Sequence, residues 1–147
     1  MKHVAYTLLK EGGLVGFEEN GFMYPPHLLA RDGGMTVALF LEMMAQEKAR
    51  ASELFSRIPL YYPVRLKIPM SRSTAERVVA ELVREYREKT DNIIDIDGIR
   101  VDGDDYWFLV RPSGTEPVLR VMVEARSLEK AEKLAKELEE KVKRMIA

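Results

Sequence analysis

Cysteine is absent from the 147 residues, so neither a disulfide framework nor a thiolate metal site can be built. Side-chain amides are almost absent as well: Asn20, Asn92 and Gln46 are all there are. Together with 32% charged residues, this is the bias of a chain built for high temperature. No apolar run reaches the roughly 18 residues of a membrane span. Lys10, Glu11, Glu18 and Glu19 interrupt any apolar core of a signal peptide, and the expected location is the cytoplasm. A charge excess of either sign is also missing. Lys plus Arg is 23 against 24 for Asp plus Glu, a net charge of −1. That excludes the electrostatic footprint of a nucleic-acid or anionic-membrane partner, and any anion site has to be local. What remains is a chain 46% hydrophobic, long enough for one domain or for a small domain plus part of another.

The first half reads as an incomplete α/β unit. Val4, Leu8 and Leu9 give residues 1–11 a helical face, stopped by Gly12-Gly13. Leu14 to Phe17 reads as a short buried strand, and Pro25-Pro26 makes residues 23–30 extended. Asp32 is placed to cap a helix over Met35–Gln46, apolar enough to be buried on most of its surface. A second, amphipathic helix follows over Lys48–Arg57. Strands need partners, and this half supplies too few, so it is expected to pack on another domain, to dimerise or to be partly disordered.

Pro59 to Pro63 marks the predicted boundary, which divides the chain into residues 1–59 and 60–147. Beyond it Val64, Leu66 and Ile68 alternate with Arg65 and Lys67, as in a half-buried strand. Ser73-Thr74-Ala75-Glu76 reads as a capping box before a helix with Val78, Val79, Leu82, Val83 and Tyr86 inward. Asp97-Gly98 is a hairpin signal between short apolar runs, and Asp102 to Asp105 is a further turn. A strand over Tyr106–Val110 and one over Val118–Glu124 follow, then a helix capped by Ser127 with Leu128, Ala131, Leu134, Ala135, Leu138, Val142 and Met145 inward. Its Glu-before-Lys or Arg pairs at i,i+4, such as Glu137/Lys141 and Glu139/Lys143, make a solvated outer face. The predicted class is α+β: an antiparallel sheet with two helices on one face, preceded by the partial α/β unit.

Two stretches concentrate chemistry. Between the last two strands lies Arg111-Pro112-Ser113-Gly114-Thr115-Glu116-Pro117, with Arg120 just beyond. A guanidinium offers a planar fork to two oxygens of an oxyanion. Ser113 and Thr115 add hydroxyl donors, and Gly114 permits a sharp turn and a close approach of backbone amides. Arg120 is a second candidate, though strand alternation allows it to point away. The bland reading is a hairpin turn with a solvated arginine. The other stretch is Glu18-Glu19-Asn20-Gly21, at a strand end where α/β sheets place ligands. Carboxylates and an amide suit the hydroxyls of a sugar; solvated turn acids are the alternative.

The heptapeptide Arg111–Pro117 with the following Val118–Ala125 resembles the phosphate-binding loop of the C-terminal domain of phosphohexomutases. That family comprises phosphoglucomutases, phosphomannomutases and phosphoglucosamine mutases. Gly16, Glu18 and Gly21 match the sugar-recognition motif Gly-Gly-Glu-x-Ser-Gly-His of its third domain. Asn20 replaces the serine and Phe22 the histidine, a version similar to the archaeal branch. His27, five residues on, is expected to be packed or solvent-facing instead. The resemblance implies that Arg111, Ser113, Gly114, Thr115 and Arg120 bind substrate phosphate and that Glu18 and Asn20 hold sugar hydroxyls. It implies the end of a third domain and a complete fourth, from an enzyme that interconverts hexose 1- and 6-phosphates of mannose or glucose.

Such enzymes carry a phosphoserine loop in the first domain and an Asp-rich magnesium loop in the second. Neither has a match here. Ser52, Ser56, Ser71 and Ser73 lie in helical or capping contexts, and Asp102-Gly103-Asp104-Asp105 reads as a turn. Phosphoryl transfer needs a nucleophile and usually a cation. The expectation is therefore no catalytic residue, metal ligand or cofactor in this chain, magnesium in the full-length enzyme, and the preceding mutase domains as partners. A non-catalytic phosphosugar-binding or interaction module, and a portion of a phosphoglucosamine mutase, are the alternatives.

Overall fold

The computed structural model describes residues 2–18 and 21–146 and divides the chain into two compact units, Met1–Pro59 and Leu60–Ala147.

In the first unit, helix α1 (Lys2–Glu11) precedes a small antiparallel hairpin of β1 (Gly16–Glu18) and β2 (Gly21–Met23). Leu8 and Met23 are buried, whereas Leu9 turns outward. The strand starts later than the apolar run suggests, and Phe17 is 75% exposed. Pro25-Pro26 lies in a tight turn rather than an extended segment, because the His27 and Leu28 N–H groups both donate to the Tyr24 carbonyl. A proline pre-set near φ −65° suits such a turn as well as it suits extension. Asp32 caps α2 (Gly33–Glu47) by accepting from Met35 N at 2.9 Å. This helix has no buried residue; Val37 and Leu41 are more than half exposed. The sequence reading expected burial on most sides, but the unit holds too few elements to cover the helix. Lys48 takes φ 50° and ends α2, which leaves α3 (Ala51–Ser56) short.

The second unit is a five-stranded antiparallel sheet. Its strands are β3 (Tyr62–Pro69), β4 (Ile93–Ile94), β5 (Ile99–Asp102), β6 (Tyr106–Pro112) and β7 (Val118–Ala125), in the order β3-β7-β6-β5-β4. Tyr62 and Pro63 belong to β3 instead of a linker; β3 is an edge strand, where a missing N–H is tolerated. One face is covered by α4 (Arg72–Arg87) and α5 (Leu128–Ile146). Period-2 alternation decides which residues face the helices: Val110, Phe108, Leu119, Val121, Val123, Ile99 and Val101 are buried, and their neighbours are not. Val78 and Leu82 of α4 and Ala131, Ala135, Leu138 and Val142 of α5 complete the core. Leu128, expected inward, is exposed in the first turn of α5.

The cap of α4 is Ser71, two residues before the expected Ser73, and accepts from Thr74 N at 3.1 Å. The Met70 N–H donates to the Pro117 carbonyl, which fixes where the chain leaves β3. Glu76 then pairs with Arg72 at 2.9 Å rather than closing a box. Lys141 reaches across to Glu85 of α4 instead of Glu137. Among the described residues no helix is long and apolar enough to cross a membrane.

Truncating Leu82, which is fully buried, to alanine should cost about 3 kcal/mol of unfolding free energy in denaturant titrations; a loss under about 1 kcal/mol would contradict this core. Tyr86 is partly buried against Phe108, with ring centroids 5.1 Å apart, and desolvation pushes its phenol up to about 12. The folded state therefore holds the phenolic proton more tightly than the unfolded state, whose value is near 10. The corresponding stability is complete below pH 10 and disappears as pH rises toward 12. The unfolding free energy of wild type should fall relative to that of Tyr86→Phe across that window; a parallel pair of pH curves would refute the assignment.

Candidate functional site

The loop between β6 and β7 begins later than its sequence suggests, since Arg111 and Pro112 are still strand residues. Ser113 N–H donates to the Val118 carbonyl at 3.0 Å and closes the hairpin. Ser113 is 6% exposed. Its Oγ accepts from Glu116 N at 3.2 Å and Thr115 N at 3.4 Å. The hydroxyl thus organises the turn as an acceptor, and its proton is left for another acceptor. Two amide donors expected to converge on a ligand are turned toward this side chain instead. Thr115 and Gly114 are exposed. Gly114 needs neither a positive φ nor a close intramolecular approach: a methyl there would meet nothing within 4 Å.

Arg111 and Arg120 are directly opposite each other in the β6–β7 register. Both alternate with buried residues, so both project from the sheet face that the helices leave open. The alternation that could have sent Arg120 elsewhere places it beside Arg111. Each guanidinium has a carboxylate. Arg111 Nη1 donates to Asp97 Oδ2 at 3.1 Å, and Arg120 Nη2 donates to Glu116 Oε2 at 2.9 Å. Lys67 Nζ donates to both oxygens of Glu116 at 2.9 Å. Hydrogen bonds from Lys67, then from Arg120, hold the Glu116 carboxyl below the usual carboxylate range. The buried Arg120 Nε has no hydrogen-bond partner among the described residues.

A cleft of about 480 Å³ at this end of the sheet is lined by Arg111, Ser113 and Gly114 together with Arg72 and Glu76 of α4. The Asp97-Gly98 turn also lines it. Gly98 has φ 98°, and a Cβ there would lie 2.4 Å from the Val110 carbonyl oxygen and 2.9 Å from Arg111 Cα. Only glycine lets this turn rest on the backbone of Arg111. Asp97, Arg72, Glu76 and Lys67 were not singled out from sequence. Asp97, Arg72 and Glu76 share the cleft, while Lys67 meets the loop through Glu116; register and helix placement decide both, and the Asp-Gly hairpin signal is the one hint in the sequence.

In the first unit, Glu18 ends β1 and is paired in register with Gly21. Glu19 and Asn20, the latter a sugar-contact candidate, lie outside the described residues. The stem of Arg31 lies across Gly21, where a Cβ would stand 2.4 Å from Arg31 Cδ. His27 is half-exposed and approaches Asp32 at 3.2 Å, which turns it toward the α2 cap.

A magnesium site does not fit the acids of the 102–105 turn. Asp102 is taken by Arg100 through Nε and Nη2, and Asp105 by Lys130. No group of three or more metal-ligating side chains lies together among the described residues.

Two family models match the chain: phosphoglucomutase/phosphomannomutase alpha/beta/alpha domain III over residues 1–61, and the phosphoglucomutase/phosphomannomutase C-terminal domain over 66–141. A phosphoglucosamine/phosphogalactosamine mutase of Sulfurisphaera tokodaii is 44% identical over 137 residues, 92% of this chain and 30% of that protein. A probable phosphoglucosamine mutase of Pyrococcus horikoshii is 42% identical over 97% of this chain and 32% of its own length. A phosphoglucomutase/phosphomannomutase of Thermococcus kodakarensis is 41% identical over 87% of the chain and 28% of its own. The chain thus spans about a third of the curated relatives it matches. In fold, it is similar to the crystal structure of a phosphoglucomutase/phosphomannomutase family protein from Burkholderia thailandensis, with TM-score 0.75 at 23% identity, over 97% of this chain and 30% of that one. The chain belongs to the phosphoglucomutase/phosphomannomutase family, and corresponds to its domain III and its C-terminal domain.

Proposed function

We propose that this chain grips the substrate for a phosphohexomutase. Arg111, Ser113, Gly114, Thr115 and Arg120 bind the phosphate of a hexose phosphate, and Glu18 and Asn20 hold hydroxyls of its sugar. One observation supports this most: two guanidinium groups lie opposite each other on the open sheet face, beside a buried serine whose hydroxyl proton is free to donate. Planar forks and a hydroxyl suit the spread oxygens of a phosphate. The space above Gly114, which no described residue fills, admits a phosphate oxygen close to the backbone.

The substrate class is hexose phosphate or hexosamine phosphate. Several similar proteins are named as phosphoglucosamine mutases, which favours the amino sugar over the mannose and glucose phosphates expected from the motifs. In this reading the chain's residues bind and orient, and the transferred phosphoryl group moves between groups held elsewhere. A magnesium ion would offset developing negative charge in such an enzyme. The exposed apolar faces of α1 and α2 suit cover by the rest of a mutase, in the cytoplasm where sugar phosphates are exchanged. The amide-poor, charge-rich composition suits work at high temperature.

Two measurements test the reading. Titration of glucosamine 1-phosphate, followed by amide NMR shifts, should move Ser113 to Glu116 in wild type. Arg111→Ala should weaken the affinity at least about tenfold, the worth of one charge-assisted contact. Equal titrations for the two proteins would remove the loop from the site. Separately, the purified 147-residue chain should not interconvert hexose or hexosamine 1- and 6-phosphates in a coupled assay. Turnover by this chain alone would overturn the assignment of catalysis to other domains.

A further inference from the structure

Three cations stand in a row across the open face of the sheet. Lys67 of β3 is opposite Arg120 of β7, and Arg120 is opposite Arg111 of β6. Opposed residues share a face, and strands are about 4.8 Å apart, so the row spans about 10 Å at the backbone. Like charges so placed repel one another. Among the described residues two carboxylates meet them: Asp97 at Arg111, and Glu116 at both Arg120 and Lys67. Three positive groups face two negative ones, and the buried Arg120 Nε still has no acceptor among the described residues. The row has donors for one more anion than the described residues supply.

Glu116 has the features of a replaceable partner. It is exposed, and its ion pairs are of the surface kind that exchange at little cost. The turn does not depend on its carboxylate, because its contribution there is a backbone N–H donated to Ser113. Like any glutamate it is ionised at neutral pH, so it competes with other anions as a full charge. A phosphate has more oxygens to offer than a carboxylate and satisfies more donors at once.

We propose that Lys67 is a further phosphate-binding residue, and that Glu116 is an internal counter-ion that yields Lys67 and Arg120 to an incoming phosphate. This rests on the phosphate-loop reading above. Arg111 and Arg120 form the fork, Lys67 closes the far side as a point charge, and Glu116 limits how tightly the site holds its ligand. A site that must release product benefits from such a built-in competitor.

The test is a titration of inorganic phosphate into the 147-residue chain, read from the amides of Ser113, Gly114 and Thr115. Lys67→Met should weaken binding on the order of tenfold. Lys67→Arg should stay within about threefold of wild type, since it keeps the charge. Glu116→Gln should tighten binding about threefold by removing the competitor. Lys143→Met, on the outer face of α5, controls for bulk charge and should change nothing. Unaltered affinity in Lys67→Met, a matching loss in Lys143→Met, or weaker binding in Glu116→Gln would each overturn the inference. Arg111→Ala separates the two levels. If it abolishes phosphate binding while Lys67→Met does not, the loop reading stands and this inference falls. If Arg111→Ala binds as wild type, the loop reading itself falls.

Discussion

Antiparallel pairing of β6 with β7 is the constraint on which the rest of the second unit depends. Its register sets Val110 opposite Val121 and Phe108 opposite Val123 on the covered face. The same register sets Arg111 opposite Arg120 on the open face. A slip by one residue would exchange the faces, putting guanidinium groups into the core and valines into water. Core packing therefore specifies which residues the proposed anion site presents. Helices α4 and α5 bury one side only, which leaves the other free to carry charge.

Charge on the open face is arranged as pairs around exposed carboxylates. Glu116 and Asp97 each belong to a turn at the same end of the sheet, and each holds a cation that a phosphate could use. The cations are thereby oriented without being buried. Exposed pairs contribute little to folding stability, so this arrangement is better explained by recognition than by stability. Gly98 is the structural counterpart: it lets the Asp97 turn lie on the backbone of Arg111.

The first unit follows a different logic. Its hairpin and three helices bury few side chains, and Val37, Leu41 and Phe55 are largely exposed. An apolar helix with no buried residue is unusual for a self-sufficient domain. The match to domain III over residues 1–61, in proteins about three times as long, gives a physical setting for that surface. The sugar-contact candidate Glu18 sits in this unit, so the two halves of the proposed substrate grip come from separate bodies.

Much of this was determined by sequence alone. Period-2 alternation identified the two faces of β3, and the helical stripes of α4 and α5 were legible apart from Leu128, because both patterns are set by local geometry and burial. The loop motif identified Arg111, Ser113 and Thr115 as candidates, and the family followed from it. Local signals failed where two choices were nearly equal. Ser71 and Ser73 are both good caps, and the path of the chain out of β3 decided for Ser71. Prolines 25 and 26 fit a turn as well as an extended run, and the surrounding hydrogen bonds chose the turn. Only the tertiary structure decided the partnerships of the site. Lys67 and Glu116 are 49 positions apart, and Asp97 and Arg111 are 14 apart. Which cation meets which carboxylate depends on strand register and on where turns end, and neither is a property of a short stretch of chain.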